Sequence, residues 1–197
     1  MKVMLNDKQV NVTGKTLREV IDRVNEGFIP QGEVITRIRL NGEELTEGVY
    51  SKELERECEG VNSLELWTTP IPQVIHDGLT QAAEYINRLV PGIKQIAELF
   101  RMGDLMGAQN GFTTLIDGLH WFILILEGPI EIMKLAKSDE FINCENRFAT
   151  VLEKMGSAQE REDWVELADI MEYELVPAVE DSRKVIDELL GEVNKSL

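Results

Sequence analysis

The sequence predicts an α+β protein in which a small β-containing unit precedes a helical bundle. Up to Trp67 apolar residues alternate, as in Val3/Leu5 and Leu64/Leu66, which is the period of a half-buried strand. From Leu79 onward they recur at steps of 3 and 4 through Leu189, the period of a helix. The change falls at Thr68-Thr69-Pro70-Ile71-Pro72, whose Pro-x-Pro predicts a stiff link. The expected domains are therefore 1–69 and 73–197.

In the first domain, Val3-Met4-Leu5 and Val10-Asn11-Val12 predict two strands joined by an Asn6-Asp7-Lys8 turn. Gly14 ends the second strand. Thr16 is a good helix N-cap, and Glu19 three residues on completes a capping box. The helix that follows puts Leu17, Val20, Ile21 and Val24 on one face and stops near Gly27. Val34 to Leu40 is a third strand closed by an Asn41-Gly42 hairpin turn. After a connection, Ser63 to Thr68 forms the last strand, with Leu64 and Leu66 inward.

The second domain carries four apolar stripes. They run Leu79, Ala82, Ile86, Leu89, Ile93, Ile96, Phe100; then Leu105, Ala108, Phe112, Leu115, Leu119, Phe122, Leu126; then Phe141, Cys144, Phe148, Val151, Met155. The last runs from Trp164 through Ala168, Met171, Leu175, Ala178, Ser182 and Ile186 to Leu189. Gaps of 3 and 4 keep each set on one face, as bundle packing requires. Gly103, Ser138-Asp139 and Gly156-Ser157 separate the helices, so an antiparallel four-helix bundle is expected. Pro91, Pro129 and Pro177 interrupt the helices without shifting the stripes, which predicts kinks; Gly128 before Pro129 is an alternative helix end.

Bulk composition narrows the function classes. The 197-residue chain has a formal net charge of −16. Residues 1–69 carry 9 Lys/Arg against 13 Asp/Glu, and residues 70–197 carry 11 against 23. Such a surface repels phosphate backbones, which argues against nucleic acid and favours solubility or a basic protein partner. The longest apolar run, Trp121 to Leu126, is far short of the ~20 residues of a membrane span. Met1-Lys2 leads straight into strand-like sequence, and Cys58 and Cys144 are far apart, so a cytoplasmic setting with reduced thiols is expected.

The second helix carries an unusual line beside its core stripe. Gly107, Gly111, Thr114 and Gly118 follow gaps of 4, 3 and 4 and lead into Trp121 and Ile125. Each helix glycine costs roughly 1 kcal/mol relative to alanine, so three on one line need compensation. Small residues admit a close second backbone, either from the bundle itself or from a partner helix or a second copy. These six residues are the candidate partner-binding site.

No catalytic constellation assembles. Asp117 and His120, spaced i, i+3, resemble half of a bundle metal site, but His76 has no carboxylate at i−3 to supply the other half. The pair is the candidate for a metal-binding or carboxylate-based enzyme as the alternative reading; otherwise it is an ordinary helix pair. The carboxylate-dense run from Asp163 to Glu174 falls mostly off its apolar stripe and predicts a solvated acidic face. No cofactor is expected.

The order strand, strand, helix, strand, connection, strand, with the corner Val12-Thr13-Gly14-Lys15-Thr16-Leu17, resembles the ubiquitin-like β-grasp fold. Conjugating and sulfur-carrying members of that family act through a terminal Gly-Gly. Here the last strand runs into Thr68-Thr69-Pro70 and the chain ends Lys195-Ser196-Leu197, so the resemblance implies a binding or positioning module, not a carrier. The helical region resembles bacterial flagellar export chaperones through His76-Asp77-Gly78-Leu79, Gly103-Asp104 with Ala108, and Ala168-Asp169 with Tyr173 and Leu175. That resemblance implies a non-enzymatic adaptor that holds a helix of a client protein.

Overall fold

The computed structural model describes residues 1–46 and 53–197. Residues 47–52, part of the expected connection between the third and last strands, lie outside the described residues. The chain divides into two compact units, Met1–Val74 and Ile75–Leu197.

The first unit contains β1 (Lys2–Leu5), β2 (Lys8–Val10), α1 (Leu17–Gly27), β3 (Glu33–Leu40), β4 (Glu43–Glu44) and β5 (Ser63–Pro70). They form one five-stranded mixed sheet in the order β2-β1-β5-β3-β4, with β1 and β5 parallel and the other pairs antiparallel. The register sets Val3 beside Leu64 and Leu5 beside Leu66, while Ile38 and Leu40 flank the same two leucines from β3. These side chains meet Leu17, Val20, Ile21 and Val24 of α1 in a single core. The arrangement is compatible with a β-grasp-like domain.

Local chemistry explains the corners. Asn6 and Asp7 both have positive φ, as do Asn41 and Gly42, so both hairpins close with two-residue turns whose twist matches the strands. Lys8 therefore opens β2 and is not part of the turn. Thr16 caps α1 by accepting from the Glu19 N–H at 3.3 Å. Glu19 reaches back to the Lys15 N–H at 2.9 Å, one residue earlier than a capping box would have it. A register shift between Ile35 and Arg37 inserts one extra residue into β3. Ile35 and Ile38 thereby both face the core, and Arg37 turns outward over the Trp67 ring at 3.9 Å.

At the seam no separate link exists. β5 extends to Pro70, and the next helix starts at Ile71, whose N–H donates to the Gly32 carbonyl at 2.8 Å. Pro72 sits in the first helical turn, where its missing N–H costs nothing.

The helices are α2 (Ile71–Met102), α3 (Leu105–Met133), α4 (Asp139–Glu160), α5 (Trp164–Ile170) and α6 (Val176–Val193), with a π-helical turn at Met171–Leu175. The predicted stripes supply most of the core, including Leu79, Ile86, Phe122, Met155, Leu175 and Ile186. Cys144 and Trp164 are only partly covered, and Leu105 is exposed. In α2 the buried line steps from Ile93 to Ala97, leaving Ile96 at the edge. Contacts pair the helices in opposite sequence order. Tyr85 meets Trp121 and Phe100 meets Phe112. Lys154 binds Glu174 at 2.6 Å and Arg147 binds Asp181. Arg183 reaches the Asn87 side chain at 2.6 Å.

One boundary differs from expectation. Gly156 and Ser157 lie inside α4, which ends instead where Glu162 takes positive φ and Asp163 caps α5. A lone glycine does not stop a helix whose next turn is still packed, here by Ala158. α3 runs through Gly128 and Pro129 to Met133, where Lys134 takes the left-handed conformation. Pro91 likewise lies inside α2. Before Pro177 the helix widens: the Val176 N–H bonds the Met171 carbonyl, five residues back. That wide turn absorbs the backbone bond and space the proline ring denies to a regular α-turn.

Candidate functional site

A groove of about 420 Å³ runs between α2 and α3. From α2 it is lined by Tyr85, Arg88, Leu89, Gly92, Ile93, Gln95, Ile96 and Leu99, and from α3 by Gly107, Gly111, Thr114 and Leu115. The stretch from Tyr85 to Leu99 is about 21 Å long at 1.5 Å per helical residue. That is the length of a four-turn helix.

The sequence-predicted line on α3 splits into two halves. Gly107, Gly111 and Thr114 open into the groove. Gly118, Trp121 and Ile125 are taken up by α2. The Tyr85 hydroxyl occupies the space a side chain at 118 would need, Trp121 packs edge-on against Tyr85 at 5.3 Å, and Ile125 lies 3.7 Å from the Cβ position of Gly78. Gly107 also serves the start of α3. Its N–H donates to the N-cap Asp104 at 3.1 Å, and a Cβ there would lie 2.7 Å from that carboxylate. Gly111 admits Ile96, whose Cγ1 lies 2.9 Å from where its Cβ would be.

Gly92 differs from all of these. A Cβ placed on it would meet no atom within 4 Å, so its face of α2 is bare backbone open to the groove. Arg88 is the one charged lining residue, and its guanidinium lies over the Tyr85 ring at 5.6 Å. The groove therefore offers an apolar floor with one cationic edge. The α2 half was not foreseen from sequence; the signal for it was Gly92 directly after Pro91, off the α2 core stripe.

Asp117 and His120 are both exposed on α3. Among the described residues no group of three or more His, Cys, Asp or Glu is placed to hold a metal ion. His76 stands 3.5 Å from the Asp77 carboxylate. The carboxylates of the 163–174 run have structural partners. Asp163 caps α5 through the Glu166 N–H, Glu166 pairs with Arg161, and Glu174 pairs with Lys154. Asp169 and Glu172 grip Arg101 at 2.8 and 2.5 Å, and these hydrogen bonds hold the guanidinium above its ordinary pKa.

Between α3 and α4 a smaller apolar cleft of about 220 Å³ includes Ile123, Leu126, Phe141, Phe148 and the Cys144 thiol. Burial pushes Cys144 up to about 11, against a smaller opposing pull from Arg147. Cys58 is also raised by burial. At both thiols burial outweighs the nearby positive charge, so neither is activated as a nucleophile. Among the described residues no helix is long and apolar enough to cross a membrane.

Fold and site together define an α+β chain whose helical unit presents an open helix-length groove. Residues 77–185, more than half of the chain, match the family model described as Domain of unknown function (DUF8042), and the chain belongs to this family. Residues 1–70 match the model of the TP0873 N-terminal domain. No curated protein and no solved structure matches the chain.

Proposed function

We propose that this protein is a non-enzymatic adaptor or chaperone whose helices work as an antiparallel four-helix bundle and hold a helix of a protein client between α2 and α3. The observation that carries this reading is Gly92, a helix-interior glycine whose missing side chain leaves open space along the α2/α3 groove. A glycine there costs roughly 1 kcal/mol relative to alanine with no packing return inside the chain. Close approach of another backbone supplies the return, as small residues do where helices meet.

The client helix presents an apolar stripe to the part-exposed Tyr85, Ile96 and Leu99 and a carboxylate or carbonyl to Arg88. Of the 23 carboxylates in residues 70–197, 16 lie after α3, so basic residues of a client would be served by the α4–α6 surfaces and not by the groove. The resemblance to flagellar export chaperones supports a cytoplasmic, export-related client. The β-grasp unit then serves as a positioning module for the client-holding helices.

Capture from the lysate of the native host with the tagged full chain, read by mass spectrometry, tests the reading. A client retained by the unaltered chain and lost by Gly92→Leu supports it. A client retained equally by both, with the variant folded, overturns it.

A further inference from the structure

The outer face of α3 is a second surface, beside the groove and distinct from it. Met106, Asn110, Thr113, Asp117, Trp121 and Leu124 follow gaps of 4, 3, 4, 4 and 3, and every one of them is exposed. That is the rhythm of a coiled-coil seam. Exposure at the apolar positions is large: Met106 79%, Trp121 38%, Leu124 52%. None of these six residues lines the α2/α3 groove.

Local charge says what can cover this face. The 29 residues of α3 contain no lysine or arginine and only three carboxylates, Asp117, Glu127 and Glu131. Residues 134–197 carry 16 carboxylates against 8 Lys/Arg. At physiological salt, charges more than about 8 Å apart are largely screened, so local composition decides which surfaces can meet. A second copy of this acidic chain can approach α3 without opposing rows of carboxylates.

We infer that two copies of the chain pair through α3, antiparallel about a twofold axis between Gly118 and Leu119. That register sets Asp117 against the partner's His120 twice, once on each side of the axis, as an isologous contact requires. It also sets Thr113 against the partner's Leu124. The i, i+3 spacing of Asp117 and His120 on an exposed face is thereby explained without a metal. From Met106 to Leu124 the seam runs along about 27 Å of helix.

Sedimentation equilibrium of the full chain over a wide concentration range tests this. The expected result is a reversible dimer. Leu124→Glu, at an exposed site where folding is not at stake, weakens it by about tenfold or more. Asp117→His and His120→Asp each weaken it by placing like residues face to face, and the double variant restores it. A chain that stays monomeric throughout, or a dimer indifferent to Leu124→Glu, overturns the inference. So does a double variant that pairs no better than either single one. The client reading does not enter this experiment, so the two can fail separately.

Discussion

The hydroxyl of Tyr85 on α2 stands where the Cβ of any residue larger than glycine at position 118 on α3 would have to go. This single relationship explains one of the glycines that helix propensity argues against. It also marks the boundary between the closed and the open part of the α2–α3 contact. Between the Tyr85–Gly118 contact and the Phe100–Phe112 contact the two helices leave the groove open. Around Gly118 they touch.

Opposite signs are expected for two Gly→Ala substitutions. Gly118→Ala gains about 1 kcal/mol of helix propensity but must push Tyr85 from its contacts with Trp121 and Phe122. Overpacking of this kind costs about 1–3 kcal/mol, so net destabilisation near 1 kcal/mol is expected. Tyr85→Phe removes the colliding oxygen and should restore stability to Gly118→Ala. Gly92→Ala meets nothing and should stabilise by up to about 1 kcal/mol. Urea unfolding of the three variants checks both signs.

Arg101 ties the end of α2 to α5 and the π turn through Asp169 and Glu172. These groups are partly exposed, so the network is worth about 1 kcal/mol and not a buried pair's several. Arg101→Met should lower stability by about that amount at low salt, with the difference shrinking in 1 M salt, where screening acts over about 3 Å. A loss unchanged by salt would assign the effect to packing of the side-chain stem.

Burial holds the Cys144 thiol above its ordinary 9.0, at about 11. In a Cys58→Ser background, alkylation at neutral pH should therefore be much slower than for an exposed thiol, with its pH midpoint near 11. The sign for stability follows from the raised value. Below pH 9 both folded and unfolded chains keep the proton, and this contribution is fully present. Between 9 and about 11 only the unfolded chain ionises, so stability falls as pH rises. A reactivity midpoint near 9 would show that the α3/α4 cleft admits water freely.

Much of the first unit was legible in the sequence because its signals are local. Thr16 and Glu19 mark a helix start, and Asn41-Gly42 marks a hairpin, through contacts among neighbours in the chain. The parallel pairing of β1 with β5 is set by residues some sixty positions apart, such as Val3 and Leu64, and periodicity cannot report it. The bulge in β3 left a local trace, since Ile35 and Ile38 stand three residues apart where strict alternation needs two or four.

In the helices the stripes were readable, but two errors have physical causes. Ile96 fits a 3-step as well as Ala97 fits a 4-step, and only the packing around α2 decides that Ala97 is the buried one. Gly156 looked like a helix end, yet the terminator is Glu162, a residue whose type does not announce positive φ. The α3 half of the candidate site was visible as a line of small residues. Its α2 half was not, because a groove depends on what two helices leave unfilled.

The central claim is that the α2/α3 groove holds a client helix, and titration of a captured client's helical segment against the full chain tests it most directly. Calorimetry should show one segment bound per chain, with Gly92→Leu reducing affinity at least tenfold, or about 1.4 kcal/mol, while circular dichroism is unchanged. Equal affinity for the unaltered chain and a folded Gly92→Leu variant would contradict it.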